Sequence, residues 1–286
     1  MMTREYTKEE LDKIHSLGEK TLGEFIRICE KYHLSYFAIS GTAIGAVRHG
    51  GFIPWDDDVD VFMPRPDFNK LIELWEQGLT TEGYVFEFVS GDASYPALVK
   101  FGNSKIFVKE HYAAKVNNLW VDVIPVDGMP AKDEEAAVLI GRATKLRRLF
   151  LMSRADMKEG TTPLKRAVKR IAIPLMSLFD AQRLLGRSLD RLGQKIQFGS
   201  TGYAGCVTWG LYGAGERYKD DAFDQLTTVE FEGHQFPAIC YWDEYLTGIY
   251  GDYMQLPPED KRKTHNITAW RESTVAESAD NKEEDE

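Results

Sequence analysis

The hydrophobic positions divide the chain into segments of different period. From Thr7 onward the period is helical: Leu11, Ile14, Leu22, Phe25 and Cys29 recur on one face, and Thr7 with Glu10 makes a capping box. The apolar run LSYFAIS (34–40) predicts a buried strand, Ser40-Gly41-Thr42 turns the chain, and TAIGAVR predicts one or two helical turns. HGGFIPWDDD holds paired glycines and a proline, which predicts a loop. DVDVF then alternates acidic and apolar residues as a strand does, and a helix is predicted from Pro66-Asp67 through about Gln77. Further strands are predicted at 84–89, 97–101, 105–109 and 119–126, the last ending in a turn at Asp127-Gly128. Helical patterns dominate residues 133–198, with breaks at Gly160, Pro163 and near Pro174. Glycine-rich loops at 199–215, a hairpin around VEFEGHQFPAI and a helix through DEYLTGIYG follow, and no internal repeat is visible.

This order predicts an α+β fold, a small mixed sheet flanked by helices with a helical insertion. The expected divisions are a core at 1–134, a basic helical insertion at 135–200, a segment completing the core at 201–272 and an acidic tail at 273–286. With 286 residues, 43% of them hydrophobic, a full core is available. The net charge of −10 is unevenly placed, because residues 142–195 hold fourteen Lys or Arg and four Asp or Glu, a local charge of +10. Three cysteines without CxxC spacing argue against a disulfide framework and for a reducing compartment. The charged start MMTREYTKEELDK lacks a signal peptide's apolar run, and no stretch approaches the ~18 apolar residues of a membrane span. A cytoplasmic location is therefore expected, with the inner face of the membrane left open.

The densest chemical signal is GTAIGAVRHGGFIPWDDDVDVFMPR (41–65). On a strand Asp58 and Asp60 point to the same side, and adjacent carboxylates repel unless a cation lies between them. Hard oxygen donors of this kind suit Mg²⁺ or Mn²⁺, which keep coordination places for substrate phosphates. Asp56 in the loop is ambiguous, and Asp57 is expected to point away from Asp58. Asp122, a lone acid in the apolar LWVDVIPV, is the best third ligand, since an unpaired charge there would be costly. Ser40, Gly41 and Thr42 open a helix whose free N–H groups favour a phosphate, and Arg48 offers a two-pronged partner for phosphate oxygens. An acidic loop alone is ordinarily solvated surface and a Gly-Thr turn is weak evidence. Together, a strand, a Gly-Thr turn with a helix, and DxD on a second strand make the plan of a nucleotidyltransferase-type site.

The segment 41–68 resembles the signature of the LicD family, and WVDVIPVDGMP (120–130) and residues 231–265 resemble two further segments of that family. The resemblance implies a nucleotidyltransferase-like fold, metal dependence and transfer of a phospho-alcohol, such as phosphocholine or ribitol phosphate, from a CDP-linked donor to a glycan or its lipid-linked precursor. CMP would be released. It also implies that Asp58, Asp60 and Asp122 are catalytic and that Gly41, Thr42, Arg48 and Asp56 occupy motif positions. The middle of the chain, about 135–225, is less similar, which leaves the acceptor undefined.

Other residues divide between two roles. His265 in KRKTHN is a phosphate-binding or acid candidate, or a surface histidine. Lys100 is a phosphate-binding candidate or a snorkelling lysine. Tyr250 and Tyr253 are expected in the core or at its rim, and Trp55 as an anchor for the acidic loop. Two rival functions stand beside phospho-alcohol transfer: transfer of NMP from an NTP to a small acceptor, and a non-catalytic glycan- or membrane-binding relative. No nucleic-acid partner is expected. The basic helix with Lys165, Arg166, Lys169 and Arg170, followed by an apolar run, either rests on an anionic membrane or packs on the core with its charges paired to the acidic remainder.

Overall fold

The computed structural model describes residues 6–110, 113–158, 162–262 and 267–271. Helix α1 (Lys8–Tyr32) starts at the expected capping box: the Thr7 hydroxyl accepts from the Glu10 N–H, and the Glu10 carboxylate accepts from the Thr7 N–H. Its buried face, including Ile14, Leu22, Phe25 and Cys29, packs on the sheet. The chain then runs through β1 (Phe37–Ala38), α2 (Ser40–His49), β2 (Asp60–Pro64) and α3 (Arg65–Glu76). β3 (Tyr84–Phe88), β4 (Val99–Glu110) and β5 (Val116–Gly128) follow. Strand order is β1-β2-β5-β4, with β2 and β5 parallel and β4 antiparallel to β5; β3 pairs with β4. Residues 267–271 form β10, which pairs antiparallel with β4.

The C-terminal half returns to this core. Helices α4 (Asp133–Arg154), α5 (Pro163–Leu178) and α6 (Ala181–Gly193) come first. Strands β6 (Tyr203–Gly205) and β7 (Arg217–Lys219) extend the sheet beyond the end of β5. The hairpin of β8 (Leu226–Phe231) and β9 (His234–Ile239) and helix α7 (Trp242–Tyr250) follow. The result is an α+β fold with a mixed sheet flanked by helices. Leu139, Phe150 and Leu189, from α4 and α6, are buried in the same hydrophobic cluster as Val61 and Val123 of the sheet.

Several local expectations shift. The run at 34–40 is buried but only Phe37 and Ala38 pair as strand. The strands expected at 97–101 and 105–109 are one, β4, whose register slips between Asn103 and Phe107. That irregularity absorbs the polar interruption without ending the ladder. Helix α5 runs through Pro174, which is exposed, so the carbonyl left unbonded faces water. The break comes instead at Phe179–Asp180, where Asp180 takes a left-handed φ of 49°. Asp127 is not a turn residue. It lies within β5, fully buried, and accepts from the Arg65 Nε at 2.6 Å, while the same guanidinium donates to Asp190 of α6 at 3.0 Å. This triad fastens α6 beneath the end of the sheet. The acidic tail lies outside the described residues.

Candidate active site

The site is assembled by strand pairing. Parallel β2 and β5 place Asp60 beside Asp122; antiparallel β5 and β4 place Asp122 beside Lys100; β4 and β3 place Lys100 beside Glu87. One row across the sheet therefore reads acid, acid, base, acid. Asp58 stands just before β2, and single carboxylate oxygens of Asp58, Asp60 and Asp122 all lie within 4.8 Å of one another. A second trio with the same spacing joins Asp58 to Asp56 and Asp57. Asp57 therefore does not point away: the backbone before Asp60 is irregular, so strand alternation does not apply there. Asp57 is buried, and its Oδ2 accepts from the Tyr6 hydroxyl at 2.9 Å.

The helix expected after the turn is present and buttresses these acids. The Thr42 Oγ1 accepts from the Asp60 N–H at 2.9 Å, which ties the first turn of α2 to the start of β2. A Cβ at Gly41 would come within 2.5 Å of the Asp56 Oδ2, so only glycine leaves Asp56 its place. Ser40 has a left-handed φ of 46°, and its N–H donates to the Tyr245 hydroxyl at 3.2 Å. Asp122 is oriented from its other side: the Trp120 Nε1 donates to its Oδ2 at 2.9 Å, and the Lys100 Nζ lies 3.6 Å from its Oδ1. The same ammonium sits 3.2 Å from the centre of the Trp120 ring. Lys100 thus meets the acid directly and is not a snorkelling surface lysine.

Arg48 lies at the opposite end of α2 from Gly41, about 10 Å along the axis at 1.5 Å per residue. It donates to the Tyr253 carbonyl at 2.6 Å and from Nε to the His49 Nε2 at 2.9 Å. The His49 ring packs edge-on to Trp55, over which the Arg262 guanidinium sits at 4.6 Å. This makes a cationic and aromatic cluster at the acidic loop's other flank. Burial holds the Arg48 guanidinium below its ordinary pKa, and burial followed by the Arg48 charge does the same to His49. His265 lies outside the described residues.

Three residues that sequence reasoning missed or left in general roles feel the charge of the acids or bond to one that does. Arg154, at the end of α4, is shifted down by burial, and the charges of Glu110, Glu87 and Asp122 oppose that shift. Tyr212 donates to the Tyr250 hydroxyl at 3.0 Å. Burial pushes the Tyr212 phenol up, the bond to Tyr250 opposes this, and the charges of Glu216 and then of Asp60 and Asp56 add to it. The loop that carries Tyr212 is shaped by buried Glu216, whose Oε1 accepts from the N–H groups of Leu211 and Tyr212 at 2.6 and 2.7 Å.

The acids have the chemistry of a hard-cation site. Oxygen donors about 2.0–2.1 Å from Mg²⁺ lie about 2.9 Å apart when cis and about 4.2 Å apart when trans, so three oxygens within 4.8 Å of one another draw closer when they share one ion. Beside them lie a helix N-terminus and the Lys100 ammonium, and the Asp122 charge reaches Arg154. Such a site can hold a phosphate ester and neutralise charge as it transfers.

Residues 33–135 match the family described as LicD/FKTN/FKRP, nucleotidyltransferase domain, a span containing every acid of both trios. The chain is 31% identical over 249 residues to the lipopolysaccharide cholinephosphotransferase LicD of Haemophilus influenzae, covering 86% of this chain and 92% of that protein. It is 35% identical over 75 residues to an uncharacterized protein of Rickettsia prowazekii, covering 24% of this chain and 28% of that one.

Proposed function

Since the chain belongs to the LicD family and is a transferase of phosphorus-containing groups, we propose that it moves phosphocholine, or a similar phospho-alcohol, from a CDP-linked donor to a hydroxyl of a cell-surface glycan or its lipid-linked precursor. The relative named for lipopolysaccharide and cholinephosphate motivates the group transferred and the acceptor class. The observation that carries the reading is the carboxylate trio of Asp60 and Asp122 on paired strands with Asp58 just before β2, beside the start of α2.

In this reading Asp58, Asp60 and Asp122 hold Mg²⁺ or Mn²⁺, with Asp56 next to them. Bound there, the cation would neutralise donor phosphate charge and stabilise the leaving oxygen. The chain's own groups do the rest. Ser40, Gly41 and Thr42 set the N-terminus of α2 toward the acids, and Lys100 adds positive charge beside Asp122, with Arg154 within reach of the same field. Trp120 fixes the Asp122 carboxylate through its N–H. The acceptor oxygen forms a bond to the phosphorus carrying the alcohol, the bond from that phosphorus to the bridging oxygen breaks, and CMP leaves with the electron pair. The acceptor proton passes to Asp60 or Asp122.

A donor screen tests this. The chain is incubated with a soluble glycan acceptor and either CDP-alcohols or nucleoside triphosphates, and release of CMP and of pyrophosphate is followed. Release from a CDP-alcohol, abolished by EDTA and restored by Mg²⁺, is expected. Transfer of NMP from a triphosphate, with CDP-alcohols inert, would replace this function with nucleotidyl transfer.

A further inference from the structure

Helix α5 differs from the helices around it. None of its residues is buried. Leu164, Val168, Ile171, Leu175 and Leu178 are all exposed, with Leu164, Ile171 and Leu178 at 74, 74 and 76%. At about 100° per residue these five fall within an arc of roughly 80°, a single apolar stripe along the helix. Phe179, 64% exposed, continues it past the helix end. The partly covered residues Lys169, Ala172, Ile173 and Met176 lie on the other side, so the stripe faces away from the protein. A stripe of large apolar side chains left in water marks an interaction surface.

Charge selects its occupant. The helix carries Lys165, Arg166, Lys169 and Arg170 and no acidic residue. By the same angular count, Lys165 lies on one flank of the stripe and Arg166 and Arg170 on the other, about 60–120° from its edges. Long basic side chains there can reach past an embedded apolar face to negatively charged groups. A two-fold pairing of this helix with a second copy would instead bring the basic flanks of both copies together. On the neighbouring α6, Arg183 and Arg187 pair with Asp92, and Arg191 donates to the Tyr95 hydroxyl at 3.1 Å.

We propose that α5 docks the protein on an anionic phospholipid surface, its apolar stripe lying in the headgroup boundary and its basic flanks on the phosphates. Among the described residues no helix is long and apolar enough to cross a membrane, so this is a contact parallel to the surface. The inference rests on the stripe and its flanks, not on the group transferred.

The full chain is co-sedimented with vesicles of phosphatidylcholine alone and of phosphatidylcholine mixed with phosphatidylglycerol. Binding at least ten-fold stronger to the mixed vesicles is expected, weakening as salt is added. Ile171→Gln with Leu175→Gln should abolish it, and Arg166→Glu with Arg170→Glu should weaken it roughly ten-fold or more. These side chains are exposed, so far-ultraviolet circular dichroism and thermal melting should not change. Failure to bind mixed vesicles at low salt, equal binding to neutral vesicles, or undiminished binding by the Ile171 and Leu175 variant overturns the proposal. So does a dimer in sedimentation velocity that the same variant dissociates while wild type ignores vesicles, which would assign the face to a second copy. CMP release with a soluble acceptor is measured separately, so failure of docking and failure of phospho-alcohol transfer are distinguishable.

Discussion

Asp122 and Asp127 sit five residues apart on β5 and have opposite surroundings. Asp127 is fully buried, its neighbour is the Arg65 guanidinium, and a second acid, Asp190, shares that cation. Asp122 is only partly buried, and although Lys100 lies near it, its strand partner is another acid and a third stands within 4.8 Å. An acid sealed in with its own cation is fastened to the fold, because removing either partner strands a charge. Acids gathered where solvent can enter repel one another unless a cation joins them. Burial alone therefore ranks these two aspartates in the wrong order for chemistry; the sign of the neighbouring charges ranks them correctly.

The largest expected effect separates the two regions outright. Asp58→Asn and Asp60→Asn should each lower turnover by about three orders of magnitude or more, about 4 kcal/mol of transition-state stabilisation. Their melting temperatures should be equal to wild type or higher, because a repelling charge is removed. Turnover near wild type in Mg²⁺ would remove these acids from the site. Asp127→Ala should do the reverse: unfolding by urea should show a loss of roughly 3 kcal/mol or more, with metal affinity of the folded protein unchanged. A variant as stable as wild type would make the buried triad energetically idle.

Asp122→Asn comes next, with metal affinity about ten-fold weaker. Unchanged affinity would return Asp122 to a structural role beside Trp120 and Lys100. Arg48 gives a smaller effect, since its described bonds run to Tyr253 and His49. Arg48→Ala should raise the donor KM or lower turnover several-fold, and Arg48→Lys should rescue poorly, because lysine lacks the fork. Full rescue would exclude a two-pronged contact.

The smallest effect tests the end of the cross-strand row. Burial pushes the Glu87 carboxyl above its ordinary value, against the charges of Lys100, Arg154 and Lys115. Between the unfolded and the folded pKa the folded protein therefore binds more proton there than the unfolded chain does. The resulting stability is present below the unfolded pKa and is lost as pH rises through the folded one. Glu87→Gln should flatten that decline in a series of melts from pH 4 upward. An unaltered slope would show that Glu87 does not contribute to it.

Much of this comparison could be read from local sequence, and the parts that could not share a cause. DVDVF and the lone acid of LWVDVIPV announce two strands with carboxylates to place, and the Gly-Thr turn announces the helix between them. Pairing of β2 with β5, which brings Asp60 to Asp122, is a contact across 62 positions that alternation alone cannot register. Asp127 was misread because Asp-Gly is the commoner signature of a turn, while its balancing cation lies far back at Arg65. Arg154 and Tyr212 come within the field of the acids from a helix end and a loop that carry no local mark of chemistry. The basic character of α5 was visible as composition, but whether its apolar face packed inward or outward depended on the tertiary fold.

The central claim is that Asp58, Asp60 and Asp122 together hold a divalent cation. Calorimetric titration of Mn²⁺ into the wild-type protein and into Asp60→Asn tests it most directly. Saturable binding to wild type, competed by Mg²⁺ and lost or weakened at least ten-fold in Asp60→Asn, is the expected result. Absence of binding by wild type, or equal affinity in the two proteins, would contradict it.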